Sequence, residues 1–190
     1  LAERWRGKIL LRDPLASGTM RSMFALILAR SVAETGAPER GFDWLRRLDG
    51  QTREYASNPA LLFQKILRRE GVVTVWELSD ILLQQKAGVA LGFKLARSGT
   101  PVINDAIGLV EGAPDADAAR AFIDWVGGAE AQEIAAREAF KLPARTDLDP
   151  AHLPDWARRV LAELRPADLD WALVGREQAG WMARWDREVR

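Results

Sequence analysis

Apolar and polar positions along this chain follow two rhythms, short unbroken apolar runs and longer stretches with apolar residues every three or four positions. The run Lys8-Ile9-Leu10-Leu11, closed by Asp13-Pro14, predicts a buried strand entering a turn. Beyond Ser17-Gly18, the positions Met20, Met23, Phe24, Ile27 and Leu28 mark one face of a helix. A second helix is predicted from Pro38 to Leu48, with Phe42, Trp44, Leu45 and Leu48 apolar. Asn58-Pro59 reads as an N-cap followed by Pro at the first helical position. Leu62, Phe63, Ile66 and Leu67 supply the buried face of that third helix.

Val72 to Trp76 is short and β-branched, which predicts another buried strand. Ser79-Asp80 is expected to cap a short helix. Ala90 to Leu95 and Ala106 to Val110 are read as two more strands, with Ser98-Gly99-Thr100-Pro101 as a loop between them. Asp115 opens a helix carrying Ala118, Ala119, Phe122, Ile123 and Val126, and Gly127-Gly128 stops it. A further helix is expected from Glu130 to Arg137, and the last forty residues are read as helical, with Trp181, Trp185 and Val189 on one stripe. Strands alternating with helices predict an α/β fold with a largely parallel sheet.

Composition narrows the function. The chain has 190 residues, enough for one domain or two small lobes, and 27 basic side chains balance 27 acidic ones. A nucleic-acid binder carries a basic stripe, and this balance argues against one. There is no Cys, which removes disulfides, thiol catalysis and cysteine metal sites. The longest apolar run, Met23 to Ala29, is far shorter than the roughly 20 residues a membrane-spanning helix needs. Leu1 stands in a charged, helix-like segment that does not read as a signal peptide.

Three places carry candidate chemistry. Ser17, Gly18 and Thr19 lie between a strand and a helix, where free backbone N–H groups and the helix dipole favour an anion. Gly18 lets a ligand come close to the backbone, and two hydroxyls can donate hydrogen bonds. The plainer reading, that Ser17 only caps its helix, is favoured by the pattern alone. Asn58 offers the same pair of readings at the next helix start. Trp76 and Glu77 follow a predicted strand, and ligands in open α/β sheets bind beyond strand carboxyl ends. An aromatic plate beside a carboxylate suits an amine or a sugar-like group. The plainer reading is a core Trp with a solvated Glu, since the chain has eight Trp. Asp105 precedes a predicted strand and either faces a cleft or ends a turn. His152, the sole His, is expected on a surface loop, and Tyr55 is the sole Tyr. No base–nucleophile pair, catalytic carboxylate pair or phosphate-loop lysine stands at persuasive spacing. The expectation is therefore a protein that is not an enzyme and needs no cofactor and no metal.

The order of several short motifs adds to this reading. Trp5-Arg6-Gly7-Lys8-Ile9, then Asp13-Pro14, then Ser17-Gly18-Thr19 resembles a segment of extracellular solute-binding proteins of ABC importers. In particular it is similar to the branch typified by ferric-ion-binding proteins. The likeness continues through Tyr55-Ala56-Ser57-Asn58, Gly99 to Val110, Ala118 to Trp125, Glu130-Ala131-Gln132 and Leu142 to Asp147. The resemblance implies a type II periplasmic-binding fold with two hinged lobes, a ligand held between them and a permease partner, placed in the periplasm or outside the cell near the membrane. It implies that Ser17, Gly18, Thr19 and Asn58 line an anion pocket and that the turn at Trp76-Glu77 adds ligand contacts.

On that pattern residues 1–97 are the second lobe. Residues 98–190 are the return crossing and the helical C-terminal part of the first lobe, whose opening strands precede this sequence in family members. Such a piece is expected to dimerise, to swap elements or to bind poorly. Ferric-ion binders place a Tyr pair where this chain has Trp76-Glu77-Leu78-Ser79. The expected ligand is therefore a small oxyanion, phosphate- or phosphonate-bearing, with Glu77 meeting a cationic or hydroxyl group on it. The alternatives are a ferric-ion binder lacking the usual Tyr pair, or a sensory or regulatory domain on the same fold.

Overall fold

The computed structural model describes residues 2–190, which divide into two compact units. The first unit holds the chain up to Trp76 together with Asp168–Arg190, and the second holds Glu77–Ala167. The boundary expected after residue 97 thus falls inside the second unit, and the last helix belongs with the first.

The first unit is built on strand β1, Ile9–Arg12, whose apolar residues are all buried. It pairs in parallel with β2, Thr52–Ala56, in the register Leu10↔Glu54, Leu11↔Tyr55 and Arg12↔Ala56. Helices α1, Gly18–Thr35, and α2, Glu39–Asp49, connect the two strands. They cross closely because Gly41 has no side chain: a Cβ there would meet Leu28 Cδ2 at 2.9 Å. Helix α3, Pro59–Leu67, then returns the chain to the other edge of β1. There the Leu10 amide donates to the Val73 carbonyl at 2.9 Å and the Val72 amide to the Lys8 carbonyl at 2.9 Å.

That edge is not the buried strand expected from Val72 to Trp76. Pairing is confined to an isolated bridge between Ile9 and Val73, and Val72 is 59% exposed. The close approach rests on Gly71, where a Cβ would lie 2.6 Å from Leu10 Cγ. Strand β2, with the polar sequence Thr-Arg-Glu-Tyr-Ala, was not expected from the apolar pattern. Helix α8, Trp171–Glu188, completes this unit by packing on α1. The anticipated stripe Trp181, Trp185 and Val189 is buried, and Trp185 meets Phe24 edge-on at 5.4 Å.

The second unit contains α4, Leu78–Lys86; α5, Ala116–Gly127; α6, Ala129–Ala139; and α7, Asp155–Glu163. The fourth helix begins one residue ahead of the cap expected at Ser79-Asp80, and its N-cap is Glu77. A small core gathers Ala136, Leu153 and Ala157 with Leu142, Leu148 and Trp156 around them. Gln132 ties it together: its amide oxygen accepts from the Ala144 N–H at 2.9 Å and its nitrogen donates to the Val126 carbonyl at 3.0 Å. Arg145 also donates to the Gly127 carbonyl at 3.0 Å, so the Gln and Arg of these sequence motifs are scaffolding.

The strands expected at Ala90–Leu95 and Ala106–Val110 do not form. Both stretches lie outside helices and ladders, and the β-contact of this unit among the described residues is a single parallel bridge, Thr100↔Pro166. A strand needs a ladder partner for its backbone groups, and β-branched sequence alone does not supply one. The helical tail is also interrupted, since residues 164–170 lie outside the last two helices.

Candidate functional site

The parallel pairing of β1 and β2 sends both strands toward one edge of the sheet. From that edge Arg12 leads within six residues into α1, and Ala56 leads within three into α3. The Asp13 amide donates to the Ala56 carbonyl at 3.0 Å, which holds the two exits side by side. One connection leaves β1 through α1 and α2, and the other carries the chain back across β1 through α3. Right-handed crossovers place those helices on opposite faces, which makes this edge a topological switch point. Two helix N-termini, each the positive end of its helix dipole, therefore open on one edge.

Ser17 caps α1, its Oγ accepting from the Met20 N–H at 3.3 Å. Asn58 caps α3, its Oδ1 accepting from the Leu61 N–H at 2.9 Å. Capping is thus a role both side chains fill. Gly18 differs. A Cβ there would meet nothing within 4 Å, and its φ lies outside the left-handed region, so neither packing nor backbone conformation asks for glycine.

The turn before α1 is held firmly. Arg21 donates to the Pro14 carbonyl at 3.2 Å and to the Leu15 carbonyl at 2.9 Å. Arg12 donates to the Ala16 carbonyl at 3.2 Å, and Pro14 is fully buried. Asp13 accepts from the Leu15 N–H at 2.8 Å and pairs with Arg190 at 3.1 Å, which offsets its charge beside the helix starts. Three arginines and one aspartate thus fix a loop of five residues before any ligand arrives.

Among the other anticipated residues, Trp76 is half-buried, meets Phe63 edge-on at 5.9 Å and packs on the Leu10, Ala56 and Leu62 cluster. The core reading of this tryptophan is therefore part of its role. The structure gathers Ser17, Gly18, Thr19, Asn58 and Trp76 into the first unit. Glu77 and Asp105 belong to the second unit, where Asp105 is exposed and pairs with Lys141 at 3.3 Å. His152 is exposed and lies 3.0 Å from Glu133.

Tyr55 hydrogen-bonds to Asp49 at 3.0 Å and packs edge-on against Trp185 at 5.2 Å. Burial, with the neighbouring Asp49 carboxylate, raises its pKa well above the ordinary phenol value. That environment opposes the phenolate a ferric ion would need. Among the described residues no group of three or more His, Asp or Glu side chains is placed to hold a metal, and no helix is long and apolar enough to cross a membrane.

Arg12 was not singled out from the sequence. Its signal was a cation at the carboxyl end of an apolar run, directly before Asp13-Pro14.

The comparisons with known proteins agree with this architecture. The family described as bacterial extracellular solute-binding proteins matches residues 1–141. The chain belongs to that family.

An uncharacterised protein of Haemophilus influenzae is 22% identical over 98% of this chain and 53% of its own length. A probable ABC transporter periplasmic-binding protein of Sinorhizobium fredii, y4fP, is 27% identical over 48% of this chain and 25% of its own length. Among solved structures, the periplasmic binding protein AfuA of Actinobacillus pleuropneumoniae, with fructose-6-phosphate bound, superposes with a TM-score of 0.74. It is 23% identical, covering 99% of this chain and 57% of AfuA. A Bordetella ferric binding protein superposes at 0.59 with 17% identity, covering 97% of this chain and 60% of its own. The chain thus has the periplasmic-binding-protein fold and spans about half to three fifths of the Haemophilus relative and of these two structures. These likenesses establish the fold, and the ligand is a separate matter.

Proposed function

We propose that this solute-binding protein serves an ABC import system, in the periplasm or outside the cell, and takes a small phosphate- or phosphonate-bearing oxyanion. The observation that carries the reading is the pair of helix N-termini at one edge of the parallel sheet, over a turn fixed in advance. Ligand oxygens would accept from the Gly18 N–H and approach Ser17, Thr19 and Asn58, a geometry suited to phosphate. Because glycine at position 18 is required by neither space nor conformation, close ligand approach is a sufficient reason for it. The fold's likeness to a protein carrying a sugar phosphate supports the same class of ligand. These anion contacts come from the first unit, while Glu77 and Asp105 belong to the second.

Such a protein works by differential affinity for one conformation, with no covalent step, and would deliver its ligand to a membrane permease. A ferric role is disfavoured by Trp76-Glu77, where the resembling ferric binders carry a Tyr pair, and by the buried setting of Tyr55.

The test is a thermal-shift screen of the protein as its gene encodes it. The panel holds phosphate, sugar phosphates, phosphonates, carboxylates, polyamines and ferric ion with a carbonate anion. A ligand at a hundred times its dissociation constant stabilises by about 2.7 kcal/mol, a readily seen shift. A response to phosphorylated or phosphonate compounds is expected. A response to ferric ion alone, or to carboxylates alone, would overturn the reading.

A further inference from the structure

Arg12 ends β1 at the edge where both helix starts open, in register with Ala56, two residues before the Asn58 cap. Side chains two apart on a strand share a face, so Arg12 lies on the face of Leu10. That is the face against which Leu62 of α3 packs. The Arg12 guanidinium also reaches the Ala16 carbonyl, the residue before the Ser17 cap of α1. It therefore stands between the approaches to the two helix starts.

Its hydrogen bonding is incomplete. Nη2 donates to Ala16, while Nε is buried and meets no acceptor among the described residues. A guanidinium is always charged and carries five donors, so a ligand would meet the Nη groups of this part-exposed side chain and not the enclosed Nε. The nearest carboxylate in sequence, Asp13, does not neutralise it. Its oxygens are engaged by the Leu15 N–H and by Arg190.

We infer that Arg12 is a ligand-contacting, specificity-determining residue of this site, which selects dianionic phosphate monoesters over monoanionic and neutral solutes. This rests on the function proposed above. The charge count is the reason. Each helix start contributes the equivalent of roughly half a positive charge, and Arg12 adds a full one with Arg21 on the same turn, so the surroundings carry at least about two positive charges. Asp13 does not reduce the sum, because Arg190 offsets it. A phosphate monoester carries close to two negative charges near neutrality, its second ionisation falling at a pKa of about 6. A sulfate ester of the same sugar has nearly the same shape and carries only one. The fork of the guanidinium also matches the oxygens of phosphate, which the point charge of a lysine does not.

The experiment measures binding of fructose-6-phosphate and of fructose 6-sulfate by titration calorimetry at pH 7.5. It uses the protein as its gene encodes it, with Arg12→Met and Arg12→Lys beside the native protein. The native protein is expected to prefer the phosphate. Arg12→Met should lose about 10- to 100-fold in affinity for the phosphate, the range of a hydrogen bond to a charged group. It should lose much less for the sulfate, so that the preference collapses. Arg12→Lys should recover part of the phosphate affinity. Native affinity for the phosphate should also fall as pH drops through about 6, where the ligand takes up a proton.

If Arg12 only holds the Ala16 turn, both ligands weaken by the same factor and the preference survives, which overturns the inference and leaves the function standing. Unchanged phosphate binding in a folded Arg12→Met protein overturns it too. Native protein that binds neither ester, while responding to another class in the thermal screen, overturns the function and the inference together. Melting temperatures of the three proteins separate lost binding from lost folding.

Discussion

In the first unit Phe24, Phe42 and Trp185, on α1, α2 and α8, are fully buried, and Trp185 meets Phe24 edge-on. In the second unit Phe122 and Trp125 lie stacked 5.9 Å apart on α5 and are 55% and 46% exposed. Between the fourth and fifth helices, Val102, Ile103, Ile107, Leu109 and Val110 are exposed as well, the last at 74%. Both regions have the apolar content of a core. What separates them is pairing. The first unit has a parallel ladder against which helices can bury a face, while strand-like sequence in the second unit has a single bridge. Apolar content without a sheet to receive it leaves an uncovered strip rather than a core.

The sharpest test of this contrast is a matched pair of truncations. Trp185→Ala removes a fully buried indole and should cost about 3–5 kcal/mol, the usual range for a core aromatic. Trp125→Ala, at 46% exposure, should stay within about 0.5 kcal/mol, as surface changes do. Urea unfolding of both proteins measures the difference, and equal losses would mean that the strip on α5 is covered in solution.

The same contrast explains what was legible in the sequence. Helices announced themselves through caps and periodicity. Ser17, Asn58 and Asp115 all cap where expected, each accepting from an amide three residues on. The first strand was legible because it is buried on both faces and reads as an apolar run. The second was missed because its sequence is polar: Glu54 pairs with Lys65 at 2.8 Å on its surface, and only Ala56 is fully buried. Three apolar runs were read as strands wrongly, because a ladder is a long-range fact that local sequence does not contain. Of the candidate site, the helix starts were visible, while their common edge depended on the β1–β2 pairing. Arg12 went unnoticed because nothing local marks a cation at a strand end as inward-facing.

At alkaline pH, tyrosinate absorbance reports on the first unit, which holds the sole tyrosine. Burial beside Trp185 and the Asp49 carboxylate raise the pKa of Tyr55 in the folded protein above its unfolded value near 10. The stability it contributes is therefore fully present below about pH 10 and is lost as pH rises beyond it. Tyrosinate absorbance should appear together with unfolding, and Tyr55→Phe should remove that component of the alkaline loss. A Tyr55 that ionises near pH 10 in the folded protein would contradict the packing described for this unit.

Gly18 allows structure and function to be separated within the first unit. Alanine has room there and a compatible backbone, so Gly18→Ala should raise stability by about 0.4–1 kcal/mol through the unfolded chain. If a phosphorylated ligand lies against that backbone, the added methyl should weaken its binding while the melting temperature rises. Ligand affinity unchanged in the more stable protein would remove the helix start from the proposed site. Ser17→Ala gives a less clean answer, because loss of the cap alone costs about 1 kcal/mol.

The smallest effect on stability is expected at the exposed strip of the second unit, where the informative readout is association. The solved AfuA and Bordetella structures extend well beyond the part this chain matches, 57% and 60% of their lengths. The expected dimer or swapped form would bury this strip against a second copy. Ile107→Lys with Val110→Lys would place two ammonium groups where two copies meet, and like charges at close quarters oppose pairing. Both positions are exposed in the single chain, at 47% and 74%, so its melting temperature should barely change. Sedimentation over a range of concentrations should then show the native chain associating and the double variant remaining single. Association that persists in the double variant would place the interface elsewhere, and a native chain that stays single at every concentration would show that an uncovered strip can be tolerated without a partner.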